Sequence, residues 1–414
     1  MIKNICPKED CTGCMACLNA CPYGAITIKR DEEGFDRPVL LEKKCKDCGI
    51  CRKVCPINHH PSISQPLLIF SGWSKDENIR LNSSSGGAFV ELSRIILSRG
   101  GIVFGCALDE ELKAVHISVD NMDDLVKKIS GSKYVQSKIG NSYKLAKEYL
   151  LQGKDVLFSG TACQIAALRN YLHKEYSNLI TVDLICHGVP SPMIFEDYKK
   201  YMEKKLNIKI EDIKFRCKKY SWIFFNMSIY GHVEKNGTQK SYVGCYYEDP
   251  FIRGFLRDYF LRPSCYKCKF TSLERVSDIT IADWWGYKKT SETDKDYRYK
   301  GVSIILVNTD KGKKYVEKLQ MVLKERTMEE AIRTNRCLTK PFDSPKNRAQ
   351  FWDDYRNMDF DTLTEKYFSP EKVDTCTYLL QHHKNTDKFM RFIFVLSLPK
   401  RCVKKLLRIL KIKR

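Results

Sequence analysis

At 414 residues the chain is long enough for two or three domains, and its 43% hydrophobic and 29% charged residues exclude global disorder and collagen-like repeats. No run reaches the roughly 18 apolar residues that a membrane-spanning helix needs. The formal net charge of +21 raises nucleic acid as a partner, but Lys384 to Arg414 alone holds 11 Lys/Arg against one acid, Asp387; a basic tail is a weaker signature of groove reading than a basic folded face, so no nucleic-acid partner is expected.

The N-terminus, MIKNICPKEDC, has no apolar signal-peptide region. Nineteen cysteines, an odd number, then point to a reducing, cytoplasmic compartment in which clustered thiols bind metal rather than pair as disulfides. Residues 1–60 contain an internal repeat. Cys11, Cys14, Cys17 and Cys21 precede Pro22, and Cys45, Cys48, Cys51 and Cys55 precede Pro56, both reading C-x2-C-x2-C-x3-C-P. This is the spacing of a bacterial-type two-cluster ferredoxin domain, in which three close cysteines hold one [4Fe–4S] cluster and the fourth ligates the other. The expected sets are therefore Cys11, Cys14, Cys17 and Cys55, and Cys45, Cys48, Cys51 and Cys21. A pair of zinc knuckles is the alternative, but tetrahedral zinc needs four local ligands, not a threefold repeat with a remote fourth. Cys6 lies outside the spacing and reads as a spare thiol. HHPSISQP, His59 to Pro66, reads as a linker because of its two prolines.

From residue 67 to 310 the texture is mixed α/β. LLIFSGW and GIVFGCAL are strand-type runs, separated by a helical stretch in which Phe89, Leu92, Ile95 and Ile96 share a face and Gly100 stands at the C-terminal end. YKLAKEYLLQG (helix), DVLFSG (strand), CQIAALRNYL (helix), LITVDLIC (strand) and a helix after Pro192 follow. Further strands are expected at Ile213–Phe215, Ile223–Tyr230, Val276–Ala282 and Val302–Val307. Helices are expected after Lys311 and around Phe351–Phe368, giving a helical extension over 311–383. Residues 384–414 form a basic tail in which Val403, Leu406, Leu407 and Leu410 share a face. Peripheral contact with an anionic membrane, packing on a partner, and a solvated tail are all compatible with it.

A second set of cysteines is dispersed. Cys163 in GTACQ falls between a strand and a helix N-terminus, where backbone N–H groups favour thiolate. Cys186 follows the next strand in LICHGVPSP, and Cys265 and Cys268 form C-x2-C in PSCYKCKF. Four such cysteines can meet at one site; ordinary buried cysteines and a zinc or redox pair are the alternatives.

The motifs TACQ, ICHG, SCYKC, SSGGAF, GSKYVQS and SDITIADWWG, in this order, resemble the family of coenzyme F420 hydrogenase/dehydrogenase beta subunits over about residues 66–308. The resemblance implies that Cys163, Cys186, Cys265 and Cys268 hold a third [4Fe–4S] cluster beside FAD. It also implies flavin contacts at Ser85, Gly86, Gly87, Gly131, Ser132, Lys133, Tyr134 and, at a strand end, Asp283. A G-x-G-x-x-G is absent, so the larger domain is not a Rossmann flavin domain. The fold class expected is α+β or mixed α/β, with a small dicluster ferredoxin domain ahead of a larger flavin and iron–sulfur domain. The implied function is electron transfer between a ferredoxin-like redox protein and a two-electron substrate, with a deazaflavin as one candidate. A non-catalytic electron-transfer subunit of a larger complex is the alternative. No catalytic residue is singled out: His116, His187 and Lys133 are equal candidates for a general acid.

Overall fold

The computed structural model describes residues 4–219, 221–288, 294 and 296–370. The basic tail and its shared apolar face lie outside the described residues. In the N-terminal module, two short helices, Ala16–Ala20 and Ile50–Lys53, carry cysteines of the two repeats. The repeats are joined by an antiparallel pair, β1 (Ile26–Arg30) and β2 (Asp36–Leu40).

The chain then supplies β3 (Leu68–Ser74), β4 (Ile102–Leu108), β5 (Ala114–Val119), β6 (Val156–Thr161) and β7 (Leu179–Leu184). A separate antiparallel meander follows: β8 (Lys209–Cys217), β9 (Asn226–His232) and β10 (Gln239–Cys245). The last strands are β11 (Ile279–Asp283), β12 (Ser303–Val307) and β13 (Met321–Glu325). Eight of these form one mixed sheet, in the order β13-β3-β12-β11-β7-β6-β4-β5. The registers make β4, β6, β7 and β11 parallel, and β3 runs with them because two antiparallel steps separate it from β11. Five strands therefore end at one edge of the sheet, where open α/β sheets bind ligands.

The sheet is buried on both faces because successive side chains alternate. In β4, Ile102 and Phe104 join one core while Val103 joins the other; in β6, Val156 and Phe158 oppose Leu157 in the same way. Helices Ser142–Leu151 and Ala162–Leu172 cover the first face, and helix Ala88–Leu97 covers the second through Ala88, Val90, Leu92 and Ile96. The meander forms a further core with helices Pro192–Leu206, Pro250–Leu256, Arg348–Asn357 and Phe360–Tyr367. The single helical region expected at 351–368 is two helices because Asp359 caps the second, accepting from the Thr362 N–H at 2.9 Å. The strand expected at Ile223–Tyr230 starts three residues later. The Trp222 and Ile223 N–H groups are taken by the Arg298 carbonyl and are not available to a ladder.

The module sits on the first helical face, where helix Ala16–Ala20 packs against Ala162–Leu172 and Ser142–Leu151. Asp10–Lys267 (2.9 Å), Arg30–Glu196 (2.8 Å) and Glu33–Arg348 are ion pairs across this junction. The 59–66 segment is bound rather than free: Asn170 donates to the His59 carbonyl, Arg169 to the Ser62 carbonyl, and Ser64 forms a β-bridge with Arg275. Among the described residues no helix is long and apolar enough to cross a membrane.

Candidate functional site

The two cysteine repeats share an unusual backbone. Gly13 (φ +71°) and Met15 (φ +58°) flank Cys14, and Asp47 (φ +53°) and Gly49 (φ +74°) flank Cys48. Left-handed residues at matching positions turn successive N–H groups toward one point, a nest of the kind that holds anionic groups. Backbone donors reach sulfur in both halves: the Ala25 N–H is 3.3 Å from Cys21 Sγ and the Asp47 N–H 3.4 Å from Cys45 Sγ. Backbone N–H groups of Gly13, Ala16, Leu18, Arg52 and Asn58 likewise address Cys11, Cys14, Cys17, Cys51 and Cys55.

Electrostatic proximity sorts the eight thiols into two sets. Cys17 is influenced by Cys14, Cys11 and Cys55, and Cys51 by Cys21, Cys48 and Cys45. Each set takes three cysteines from one repeat and one from the other. The first set is turned inward, with Cys14, Cys17 and Cys55 buried, whereas Cys48 of the second is exposed. Burial pushes the Cys14 thiol up to about 12. Cys6, read as a spare thiol, stands against the first set: it hydrogen-bonds to Cys11 and Cys55, lowering Cys11 well below the usual thiol range and Cys55 to about 7.

The dispersed cysteines also converge. Cys163 is the second residue of the helix that follows β6, and Thr161 caps that helix with its Oγ1 3.1 Å from Cys163 Sγ. Cys186 lies two residues beyond β7, and Cys265 sits in the short 3-10 helix Pro263–Lys267 just before Cys268. Cys186 is influenced by Cys265, Cys163 and Cys268 together. Burial pushes Cys163 and Cys265 up to about 12, while the N–H groups of Gly188, Val189 and Phe270 address Cys186, Cys265 and Cys268. Three desolvated sulfurs, Cys163, Cys186 and Cys265, meeting Cys268, with backbone or hydroxyl donors aimed at all four, fit a cationic iron–sulfur core, which would neutralise thiolates that burial otherwise penalises. Among the described residues no three His, Cys, Asp or Glu side chains close round a single metal ion; a cubane cluster spaces its four thiolates more widely than one ion does.

The inward set of the module and the dispersed set are neighbours. Cys14 is influenced by Cys163, and the buried Arg262 links the two sides, its Nε donating to the Cys11 carbonyl at 2.8 Å and its Nη2 to the Asp36 carbonyl at 3.2 Å. Ser264 Oγ donates to the same Cys11 carbonyl at 3.2 Å. Gly13 is required at this junction, because a Cβ there would lie 2.6 Å from Arg262 Nη1.

The loops expected at a flavin meet at the same sheet edge, and most of their polar groups are engaged locally. Ser85 Oγ donates to the Val302 carbonyl and the Gly86 N–H to Ser303 Oγ. Gly87 (φ +97°) starts helix Ala88–Leu97. The Ser132 N–H donates to Ser84 Oγ at 2.8 Å, beside Gly131 (φ +87°). The Lys133 ammonium donates to the carbonyls of Lys128, Ile129, Ser130 and Gly131, and burial lowers it to about 8. Gly86→Ala is expected to destabilise the fold by about 1–3 kcal/mol or more, since a Cβ would stand 2.2 Å from the Gly72 carbonyl oxygen. An unchanged urea midpoint would show that β3 can yield.

Tyr134 and Asp283 converge on Arg216, a residue that strand patterning does not single out. Its Nη1 donates to Asp283 Oδ2 at 2.9 Å and to Tyr134 Oη at 3.1 Å, and Trp222 Nε1 donates to Asp283 Oδ1 at 2.7 Å. Trp222 and Trp285 stack at 5.2 Å, and the Arg216 guanidinium lies 4.9 Å from the Trp285 ring. Arg216 Nε is buried with no partner among the described residues. Trp284, by contrast, is buried in a core cluster with Trp73 and Leu306. Of the three general-acid candidates, burial lowers His116 to about 4, and its Nε2 lies 3.2 Å from the Ser159 carbonyl. His187 Nε2 is 2.6 Å from Asp258 Oδ1.

Residues 153–331 match the family model for the C terminus of the coenzyme F420 hydrogenase/dehydrogenase beta subunit, and residues 10–59 match the 4Fe-4S dicluster domain. The chain is 25% identical over 201 residues to the F subunit of the F(420)H(2) dehydrogenase of Methanosarcina mazei, covering 45% of this chain and 55% of that protein. It is 44% identical over 50 residues to a ferredoxin of Pyrobaculum islandicum, covering 12% of this chain and 43% of the ferredoxin. The chain thus spans about half the length of each of these relatives. A chain of the F420-reducing [NiFe] hydrogenase complex from Methanosarcina barkeri superposes with a TM-score of 0.41 at 17% identity, covering 74% of this chain and 94% of that one. Residues 153–331 of the chain are thus similar to the C terminus of coenzyme F420 hydrogenase/dehydrogenase beta subunits, and its N-terminus carries a 4Fe–4S dicluster domain.

Proposed function

We propose that the protein is an iron–sulfur flavoprotein oxidoreductase that passes electrons between a ferredoxin-type carrier and a two-electron substrate. The observation that carries this reading is the continuity between Cys14 of the module and Cys163 of the core, bridged by Arg262. Cys11, Cys14, Cys17 and Cys55 would hold one cluster, Cys21, Cys45, Cys48 and Cys51 a second, and Cys163, Cys186, Cys265 and Cys268 a third. FAD would lie at the loops Ser85–Gly87 and Gly131–Tyr134 near Asp283, where Trp285 offers a flat wall and the orphaned Arg216 Nε a donor. A bound flavin supplies the exchange between one- and two-electron chemistry. The chain's own part is to fix that group: Asp283 holds Arg216, which in turn bonds Tyr134. A deazaflavin of the F420 type is the first substrate to test.

The local engagement of Ser85, Gly86 and Lys133 favours a second reading, a wiring subunit that carries clusters and needs a partner for catalysis. Iron, acid-labile sulfide and flavin content of anaerobically purified protein separates the two. About twelve irons and one FAD per chain are expected for the flavoenzyme. About twelve irons without flavin would favour the wiring subunit, and about eight would remove the third cluster from both readings.

A further inference from the structure

The module's charge is sorted by side. Residues 4–42 hold four Lys/Arg and seven acids, whereas residues 43–59 hold five Lys/Arg and one acid. Three of the seven acids of the first stretch are turned to internal work: Asp10 pairs Lys267, Glu33 pairs Arg348 and Asp31 pairs Arg37. In the chain, the cations of the second stretch flank Cys45, Cys48 and Cys51 of the outward thiol set. Lys43, Lys44, Lys46 and Lys53 are exposed, and none of them joins an ion pair among the described residues. The exposed Cys48 lies among them in the chain, and Tyr23, 49% exposed, stands two residues beyond Cys21 of the same set. Cys14, Cys17 and Cys55 of the opposite set are buried and Cys14 is influenced by Cys163, so the module has one thiol set on the core side and one that reaches solvent through Cys48.

We propose that the face around Cys48 is the docking surface for a soluble one-electron iron–sulfur carrier whose own surface is acidic round its redox centre. This rests on the reading of the second set as a cluster site. Unpaired, exposed lysines flanking Cys48 in the chain attract a negative partner over a Debye length and orient it, which acts mainly on encounter rate and specificity. Tyr23 supplies the flat amphipathic contact that interfaces favour. In the exchange the carrier loses one electron and is oxidised by one, and the module gains that electron and is reduced by one; no bond forms or breaks and no proton moves. The face presents an exposed thiol of the second set, Cys48, which suits an electron carrier rather than a lipid surface or a nucleic acid.

The test uses the full holoprotein and a purified, strongly acidic two-[4Fe–4S] ferredoxin as probe, with binding measured by calorimetry at two salt concentrations. Lys43→Glu/Lys44→Glu/Lys46→Glu/Lys53→Glu is expected to weaken binding by at least about tenfold and to flatten its salt dependence. A control with the same change of charge, Lys144→Glu/Lys313→Glu/Lys314→Glu/Lys318→Glu, alters exposed lysines of the core and should bind like the parent. Iron content is measured on every variant. Full iron with unchanged affinity in the first variant, or equal weakening in both, would overturn the docking surface while leaving the cluster reading intact. Fewer than about eight irons in the parent would instead overturn the cluster reading itself. If the first variant loses binding to phosphatidylserine vesicles but keeps the ferredoxin, the face serves a membrane and the proposal fails.

Discussion

Replacing Cys265 by alanine is expected to remove about four iron atoms per chain and to leave the roughly eight of the N-terminal module in place. The expectation follows from how the four dispersed sulfurs are held. Cys163 and Cys186 lie on the connections after neighbouring parallel strands, β6 and β7, while Cys265 and Cys268 arrive on a separate loop. Removing one sulfur leaves Cys163 and Cys186 desolvated beside Cys268, with no replacement cysteine on that loop. Cys337, in the 3-10 turn Arg336–Leu338, is another thiol that feels Cys268 electrostatically. The module should be indifferent, because its first set touches the core through Arg262 and Ser264 at the Cys11 carbonyl, and not through the Cys265 sulfur. Iron and sulfide analysis with EPR of the reduced protein checks this, and Cys106→Ala, which removes a buried thiol elsewhere, is the control. Twelve irons retained in the Cys265 variant would falsify the third site.

Arg275→Met should produce the largest loss of stability of any single change away from the sulfurs. Arg275 and Asp183 form an ion pair at 2.9 Å with side chains 2% and 0% exposed. Removing the guanidinium strands a carboxylate inside the protein, and breaking a buried pair in this way costs about 3–5 kcal/mol. The same guanidinium donates to the Ser272 carbonyl at 3.1 Å and the Leu184 carbonyl at 3.2 Å. It thereby ties the loop after Cys268 to the strand end before Cys186. Anaerobic urea denaturation followed by far-UV dichroism should show a clearly lower midpoint, and iron at the third site should be lost before that of the module. Arg275→Met/Asp183→Leu should recover part of the stability, since no buried charge is then left unpaired. A single variant within about 1 kcal/mol of the parent would mean that Asp183 finds water or another partner.

The parts of this architecture that were legible in the sequence are those where one chemical constraint dominates a short stretch. The C-x2-C-x2-C-x3-C-P repeat announces its thiol sets because spacing alone decides which sulfurs can meet. Strands β4, β6, β7 and β12 are apolar runs buried on both faces, and the helices between them carry clear apolar stripes. Strands β1, β2, β5, β10 and β13 were not legible: ITIKR, DRPVL, AVHISV, QKSYVGC and MVLKE mix polar and apolar residues, and it is pairing, with the adjacent strand in the chain for the first four and with distant β3 for the last, that holds them in extended form. The site shows the same division. Cysteines and paired glycines carry signals of their own, whereas Arg216 and Arg262 read as ordinary basic residues until the fold buries them beside Asp283 and Cys11. Arg262 had one clue, its place three residues before Cys265. Arg216 had none.

The fastening of the 59–66 segment along Asn170, Arg169 and Arg275 changes the molecularity of the proposed pathway. A free ferredoxin must find its acceptor and orient against it, a search that holds typical protein association to about 10⁵–10⁷ M⁻¹s⁻¹. Here the module is held in its docked pose by its own chain, so passage from the module to the core is a first-order event whose rate does not depend on protein concentration. Only arrival at the Cys48 face remains second order. Dilution or added salt should therefore slow the entry of electrons without slowing their onward movement, and a burst of internal transfer should persist under conditions in which steady turnover has already declined.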